Sequence, residues 1–335
     1  MDRIFTPIGK RLVLLCLPLG LLLALAFFFG SLLGSSNRNP FLLGDMLTEL
    51  ASPDSTQRTI ITQIRFPRVL LAAVTGATLS LGGLVFQVLL RNPLAEPYIL
   101  GISGGAAVGA IGGMLAGVSF FPGVTAAAFA GSMTTLGLVL LLASGTRAVR
   151  RDSLLLAGVM MNGFAGALIM FLISLSKSSE LHHMLFWLMG DLSMVQPERL
   201  AFFYLIVPCA MIIFFLARPM NVLLAGREAA VSLGVDVKKI SLLLLVTSTF
   251  MVSLVVCFSG LIGFVGLVIP HILRLVIGPD HRLLVPAAVF GGASYLVICD
   301  LLARTLPASG ELPVGIITAM IGAPLFILLL RRSRQ

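Results

Sequence analysis

Uncharged apolar stretches long enough to cross a bilayer recur along the whole chain, and nothing else in it narrows the possible folds so far. About 18 or more consecutive apolar residues suffice to span the hydrocarbon core. Such stretches run over 12–33, 69–90, 97–146, 153–176, 200–217, 240–273 and 312–330, with a shorter one at 283–299. Two are too long for one crossing. The 97–146 stretch divides at Phe121-Pro122-Gly123, and 240–273 divides around Gly260, Gly263 and Gly266, its second part reaching on to Ile277. Eight stretches and two divisions predict about ten transmembrane helices. The expectation is an all-α, polytopic membrane protein forming a single membrane domain over residues 1–335.

The polar residues agree with this. Only 11% of residues are charged, where a soluble domain carries roughly a quarter, so lipid must cover much of the surface. The net charge of +9 does not point to nucleic acid. The basic residues lie in short segments between apolar runs rather than on one face. They do orient the chain. With the N-terminus inside, 16 of the 23 basic residues fall on inner segments, from Arg3, Lys10 and Arg11 through Arg91, Arg147, Arg150, Arg151, Arg218, Arg227, Lys238 and Lys239 to Arg334. The outer segments hold the other 7, namely Arg38, Arg58, Arg65, Arg68, Lys177, Arg199 and Arg304. Both termini are therefore expected in the cytoplasm, as an even number of spans requires. The first stretch follows Arg3, Lys10 and Arg11, but it is too long for the apolar region of a signal peptide and is read as a first transmembrane helix.

Enzyme chemistry finds no foothold. Gly101, Gly105, Gly109 and Gly113 form an every-fourth-residue ladder, widened by Gly104 and Gly112. Small residues so spaced let helix backbones approach in lipid. A dinucleotide loop is the competing reading, and it fails because the ladder sits inside an apolar span with no αβ alternation around it. The chain has no G-x-x-x-x-G-K-[ST] phosphate loop. Cys16, Cys209, Cys257 and Cys299 lie in apolar runs without metal-ligand spacing and read as small apolar fillers. No metal or cofactor is expected. A proton relay needs an ionisable group at mid-membrane, yet the acids lie in connecting segments or near helix ends. Asp300 and Arg304, four apart on the ninth span, are placed to pair with each other. This pattern favours a pathway driven by an external engine over an ion-coupled carrier.

Three patches break the apolar background. Arg65-Phe66-Pro67-Arg68, with Arg304, lies on the expected outer face. Snorkelling anchors are one reading. Positive-inside logic disfavours arginine there, so docking of a partner with carboxylates is the preferred one. The inner segment of about 218–239 includes Val222–Leu233, which can form a short amphipathic helix stopped by Gly234. It reads either as a surface-lying helix or as a lever for a cytoplasmic partner. The inner turn Arg91-Asn92-Pro93-Leu94-Ala95-Glu96-Pro97 is rigid and otherwise unspecific. His182 and His183 near Trp187 offer paired imidazoles for a metal complex, although polar and aromatic residues are expected at an interface anyway. His271 and His281 read as structural, and Gln87, Asn162 and Ser80 fit cavity lining or interhelical hydrogen bonding equally.

In this order the patches resemble the permease subunits of binding-protein-dependent ABC importers for iron-siderophores, haem and cobalamin. The resemblance runs from about residue 60 to 331 through RFPRVLLAAVTGATLSLGGLVFQVLLRNPLAEPYILGISGGA, FWLMGDLS, RPMN, GREAAVSLGVDV, GLIGFVGLVIPHILRLVIGPDHR and ELPVGIITAMIGAPLFILLL. It implies a non-enzymatic permease of ten helices in the bacterial inner membrane. It also implies a two-fold dimer, expected as two copies of this chain, with two cytoplasmic ATP-binding subunits beneath and an extracytoplasmic substrate-binding protein above. Arg65, Arg68 and Arg304 match arginines that receive acids of the binding protein. Gly226, Arg227, Glu228, Ala229, Leu233, Gly234, Val235 and Asp236 match the segment that couples to the ATPase. Against the cobalamin importer there is one departure. Arg150-Arg151-Asp152-Ser153 stands where small hydroxyl residues are expected at the inner end of the fifth span. The resemblance leaves the cargo open, with iron-siderophore expected first and cobalamin and haem as alternatives.

Overall fold

The computed structural model describes residues 8–34, 56–143, 151–194, 197–307 and 310–332. Arg3, Arg38, Arg147, Arg150 and Arg334, counted above for orientation, lie outside them. The helices in chain order are α1 Ile8–Leu32, α2 Phe66–Leu90, α3 Ile102–Leu115, α4 Thr125–Ala143, α5 Arg151–Ser174, α6 Ser178–Leu188 and α7 Ile206–Phe215. They continue with α8 Ala217–Ala225, α9 Arg227–Ser232, α10 Val237–Ser259, α11 Val265–Ile277, α12 His281–Thr305 and α13 Val314–Arg332. A helical lead-in, Thr56–Thr59 and Ile60–Arg65, runs into α2, and a nine-residue 3₁₀ helix, Pro197–Leu205, runs into α7. Among the described residues there is no strand.

Among the described residues seven helical segments are long and apolar enough to cross a membrane, and three shorter apolar helices, Ile102–Leu115, Val265–Ile277 and Val314–Leu328, accompany them. Each undivided apolar stretch of the sequence overlaps one of these helices, and each of the two divided stretches overlaps two. Both divisions fall where expected. α3 ends at Leu115 and α4 starts at Thr125, with Phe121 extended between them at φ −127° and ψ 132°. α10 ends at Ser259 and α11 starts at Val265, where Gly260 turns the chain at φ +67°.

Helix α2 sits at the centre, with α10, α11 and α12 packed against it. Of the most apolar part of its span 78% is buried, against 6% for α1, which is the more apolar of the two. A helix apolar all round belongs in a core or in lipid, and these two take one place each. On α1, Leu14 and Leu17 are 72% and 67% exposed. Close backbone approach makes the α2 contacts. A Cβ on Gly83 would lie 2.0 Å from Gly266 O, and one on Gly76 would lie 2.2 Å from Gly292 O. The ladder on α3 packs on α4 in the same way, since Cβ atoms on Gly105 and Gly109 would lie 2.1 Å from Thr135 Oγ1 and Ala127 O. Gly113 faces Ala127 and Val124, and Gly101, at φ +81°, faces Met161 and Thr135. At these positions there is room for a hydrogen and not for a methyl group, which is what lets the helix backbones meet.

Candidate functional site

Two groups of polar side chains stand at opposite ends of the antiparallel pair α2 and α12. At one end Arg68 Nε donates to Asp300 Oδ1 at 2.9 Å, and Arg304 Nε pairs with Asp300 Oδ2 at 3.0 Å. Arg68 also pairs with Glu311. Arg304 donates from Nη1 to Leu33 O at 3.0 Å and from Nη2 to Gly30 O at 2.9 Å, and Arg65 donates to Leu32 O. Four segments are thereby joined: the end of α1, the start of α2, the end of α12 and the connection before α13. Leu32 ends α1 and Leu33 follows it, where helix carbonyls have no partner of their own, and the guanidiniums of Arg65 and Arg304 supply donors.

Burial decides what these arginines can do. Arg65, Arg68 and Arg304 are 6%, 7% and 3% exposed, and Asp300 is fully buried. The expectation that they present themselves to a partner's carboxylates meets a different arrangement, in which each guanidinium is turned inward onto acceptors of its own chain. A buried ion is tolerated when paired and is strongly destabilising when its partner is removed. Asp300 and Arg304 pair as their spacing suggested. Glu311 was missed by sequence reasoning, although an acid just outside a span is a rare residue in a chain so poor in charge.

At the other end Asn221 fastens α8 to the start of α12. Its Nδ2 donates to Asp280 Oδ1 at 2.8 Å, while its Oδ1 accepts from the His281 backbone N–H at 2.9 Å and from His281 Nδ1 at 2.7 Å. His281 is fully buried, in keeping with a structural role. Asp280 also caps α12 by accepting from Arg282 N at 3.0 Å. Partial burial pushes the Asp280 carboxyl up, but hydrogen bonds from the Arg282 side chain, Asn221 and the Arg282 amide outweigh it and hold the group at about 2.

Beyond α8 the single helix expected over Val222–Leu233 is broken. Gly226 sits at φ +127° and ψ 160°, which L-residues with a Cβ avoid. α9 therefore starts in a new direction at Arg227. It stops as expected at Gly234, in the left-handed region at φ +76°, with Gly234 N donating to Val231 O and Val235 N to Ala230 O, both at 2.9 Å. Ala230 is its buried anchor, while Val231 and Leu233 are 60% and 69% exposed, with Arg227 and Glu228 beside them. Asp236 then caps α10 by accepting from Lys239 N at 3.1 Å. That amide, against a small opposing push from burial, holds the Asp236 carboxyl below its usual range. The elbow is thus a short outward knuckle between α8 and the Asp236-capped α10, with the side chains of Val231 and Leu233 left exposed.

The turn after α2 is close by. Arg91 ends α2 in the left-handed region at φ +45°. Asn92 Oδ1 accepts from Leu94 N at 2.9 Å and Asn92 O from Ala95 N at 3.1 Å, with Pro93 between them and Pro97 opening the next turn. Burial pushes the Glu96 carboxyl up, opposed by a hydrogen bond from the Phe264 backbone. Tyr98 Oη accepts from Ile262 N at 3.3 Å and Tyr98 O from Asn162 Nδ2 at 3.1 Å. Gln87 accepts from Arg274 Nη2 at 2.7 Å and donates to Gly266 O at 3.3 Å. Gln87 and Asn162 are therefore committed to joining helices. Ser80 is buried on α2.

His183 lines a cavity of about 280 Å³ under α6 together with Glu180, Trp187 and Asp191. Among the described residues no group of three or more His, Cys, Asp or Glu side chains is placed to hold a metal ion.

A family model described as the FecCD transport family matches residues 22–332. The chain is 42% identical over 278 residues to the cobalamin import system permease protein BtuC of Halobacterium salinarum, a match covering 82% of this chain and 74% of that protein. It is 39% identical over 327 residues to the hemin transport system permease protein HmuU of Yersinia pestis, covering 95% of this chain and 96% of that one. A solved chain described as a metal-chelate type ABC transporter in an inward-facing conformation superposes with a TM-score of 0.84 at 33% identity, over 95% of this chain and 98% of its own length. A chain of PsaBC from Streptococcus pneumoniae, at a TM-score of 0.58 and 17% identity, shares the fold alone.

Proposed function

Because this chain belongs to the FecCD transport family, as an ABC importer permease whose ATP is hydrolysed by a separate subunit, we propose that its cargo is a metal tetrapyrrole, a corrinoid or haem. The observation that carries this is the extended match to permeases named for cobalamin and for hemin, the second over 95% of the chain. Both cargoes are bulky metal macrocycles, which a path lined by helices can select by shape with a few placed polar groups. Iron-siderophore import is the competing outcome within the same family.

The mechanism we propose is alternating access in a two-fold dimer of this chain in the bacterial inner membrane, with two ATP-binding subunits below and a substrate-binding protein above. The knuckle α9 enters the ATPase surface. Val231 and Leu233 supply the apolar contact, and Gly226 and Gly234 supply the bends that present it. Movement of α9 passes to α12 through the Asn221–Asp280–His281 clamp and to α10 through its Asp236 cap. The size of any shift is limited by the difference in affinity of ATP for the two states. At the outer end, Arg65, Arg68 and Arg304 shape the surface on which the binding protein sits by holding α1, α2 and α12 together.

Uptake of labelled cobalamin, haem and ferric siderophore in a deletion strain tests the cargo, each measured with the gene restored and with the ATPase subunit inactivated. ATP-dependent uptake of cobalamin or haem alone is the expected result. Uptake of siderophore alone overturns the tetrapyrrole reading and leaves the importer. Uptake sensitive to an uncoupler and indifferent to the ATPase would point to a secondary carrier.

A further inference from the structure

A cavity of about 490 Å³ opens at the end of the bundle that carries the knuckle. It lies between the end of α2, the starts of α5 and α10, and the α8–α9 elbow. Phe86, Leu90, Leu154, Leu242 and Leu245 make an apolar floor. Arg91, Arg227 and Lys238 bring three cationic groups to the lining and Asp152 a single acid. Among the described residues none of these four side chains has an ion-pair or hydrogen-bond partner. Arg91 is the most telling. Its Nε and Nη2 are shut off from solvent without an acceptor, an arrangement that costs free energy until an acceptor arrives.

We propose that this cavity is a binding site for one anionic phospholipid of the adjoining leaflet. The chemistry fits at both ends. Arginine and lysine together suit the oxygens of a phosphate, and basic pockets between membrane helices at the water boundary hold acidic headgroups. The floor is aliphatic and takes the first acyl segments. The remaining chain has a way out, because Leu242 of the lining is 48% exposed and Val246, one turn on along α10, is 43% exposed. That route leads along a helix toward the middle of the membrane. A soluble phosphate ester has no use for it, and an acidic side chain from a cytoplasmic subunit would leave the aliphatic floor unfilled. The site stands independently of which chelate is carried. A lipid wedged between the α2 turn and Arg227 of the knuckle also ties leaflet charge to the part of the chain that meets the ATPase.

Native mass spectrometry of the purified full chain, titrated with dioleoyl-phosphatidylglycerol or dioleoyl-phosphatidylcholine, tests the proposal. One phosphatidylglycerol per chain is expected to be held in preference to phosphatidylcholine. At about 1 kcal/mol for each basic group, Arg91→Gln with Lys238→Gln lowers its affinity roughly thirtyfold. Lys239→Gln removes the same charge from the neighbouring position, where the side chain is 87% exposed beside Asp236, and leaves the preference intact. Equal retention of the two lipids overturns the site, as does an equal loss in Lys239→Gln. So does a double variant that keeps its lipid preference but fails to bind the ATP-binding subunits. A second measurement covers a double variant that misfolds. In Leu242→Trp, phosphatidylglycerol with brominated chains is expected to quench the added indole more strongly than brominated phosphatidylcholine, and equal quenching is fatal to the proposal. The native tryptophan, Trp187, is buried under α6 and lines the other cavity.

Discussion

At the end of the bundle where α2 begins, charge is withdrawn from solvent and paired across helices. At the end where α12 begins, α9 carries charge outward beside exposed Val231 and Leu233. The first arrangement fixes geometry. Asp300 takes up the guanidiniums of Arg68 and Arg304, and the remaining donors of Arg304, with Arg65, bond the carbonyls at the end of α1. The second leaves one face unsatisfied, since apolar side chains on a six-residue helix gain nothing from water. Both ends are rich in Arg, Asp and Glu, so composition alone does not distinguish them. What distinguishes them is burial, since Arg65, Arg68 and Arg304 are buried on partners of their own chain while Arg227 and Glu228 of α9 stand exposed. By that criterion the end where α2 begins is a frame, and the end where α12 begins carries the surface proposed above for contact with the ATP-binding subunits.

The most severe test of the frame is Asp300→Ala. It leaves Arg304, and one side of Arg68, buried without a counter-charge, and the expected loss of stability is about 3–5 kcal/mol. Unfolding of the detergent-solubilised chain by heat or denaturant measures it. A loss under about 1 kcal/mol would mean the arginines reach water or lipid headgroups unaided, as anchors do. Arg68→Glu sharpens the same point. It sets a third carboxylate beside Asp300 and Glu311, so uptake is lost together with folded protein. Normal folding with loss of binding-protein docking alone would assign these residues to docking.

The apolar stretches were legible because crossing a bilayer leaves a signature in consecutive residues, needing no knowledge of tertiary contacts. The breaks at Phe121–Gly123 and Gly260–Gly266 were legible for the same reason, as was the pairing of Asp300 with Arg304, which a helical repeat brings together. Burial of the outer arginines was not. It depends on Arg68 meeting Asp300 across 232 positions, and a single sequence does not announce which acid will arrive. The clamp is similar, since Asn221 and Asp280 are 59 apart and each alone looks like an ordinary loop or cap residue. The elbow was half legible. The amphipathic pattern and the stop at Gly234 could be read, but an apolar periodicity continues across Gly226 and hides the break that only its φ reveals.

At the end where α12 begins, the clamp ties α8 to α12 through three hydrogen bonds of one side chain. Asn221→Ala removes acceptors from His281 and a donor from Asp280, and the expected cost is about 1–3 kcal/mol. It is seen as lowered unfolding stability with faster proteolysis near α8. Replacement without effect would separate α8 from α12 and remove the route by which α9 moves the bundle. A smaller effect depends on pH. The folded-state carboxyl of Asp280 is held at about 2, below its ordinary 3.8. The stability it contributes is therefore complete above about pH 4 and is lost as pH falls through about 2. The half-exposed site reduces this to about 1 kcal/mol. The wild-type unfolding midpoint should fall over that interval relative to Asp280→Asn, and parallel curves would show that the Asn221 and Arg282 contacts contribute nothing.

The smallest effect on stability and the sharpest on function are expected at Leu233. It is 69% exposed and lies at the end of α9, so Leu233→Asp removes little packing and should change stability by no more than about 0.5 kcal/mol. If α9 is a contact surface, the same substitution puts a charge where an apolar side chain meets the ATP-binding subunits. Binding hot spots are worth about 2 kcal/mol or more, so co-purification of those subunits should fall at least tenfold while the permease remains folded. Leu233→Met keeps the apolar contact and should restore assembly. A variant that loses stability and assembly together would place Leu233 in the frame instead, and the contrast between the two ends would then rest on Val231 alone.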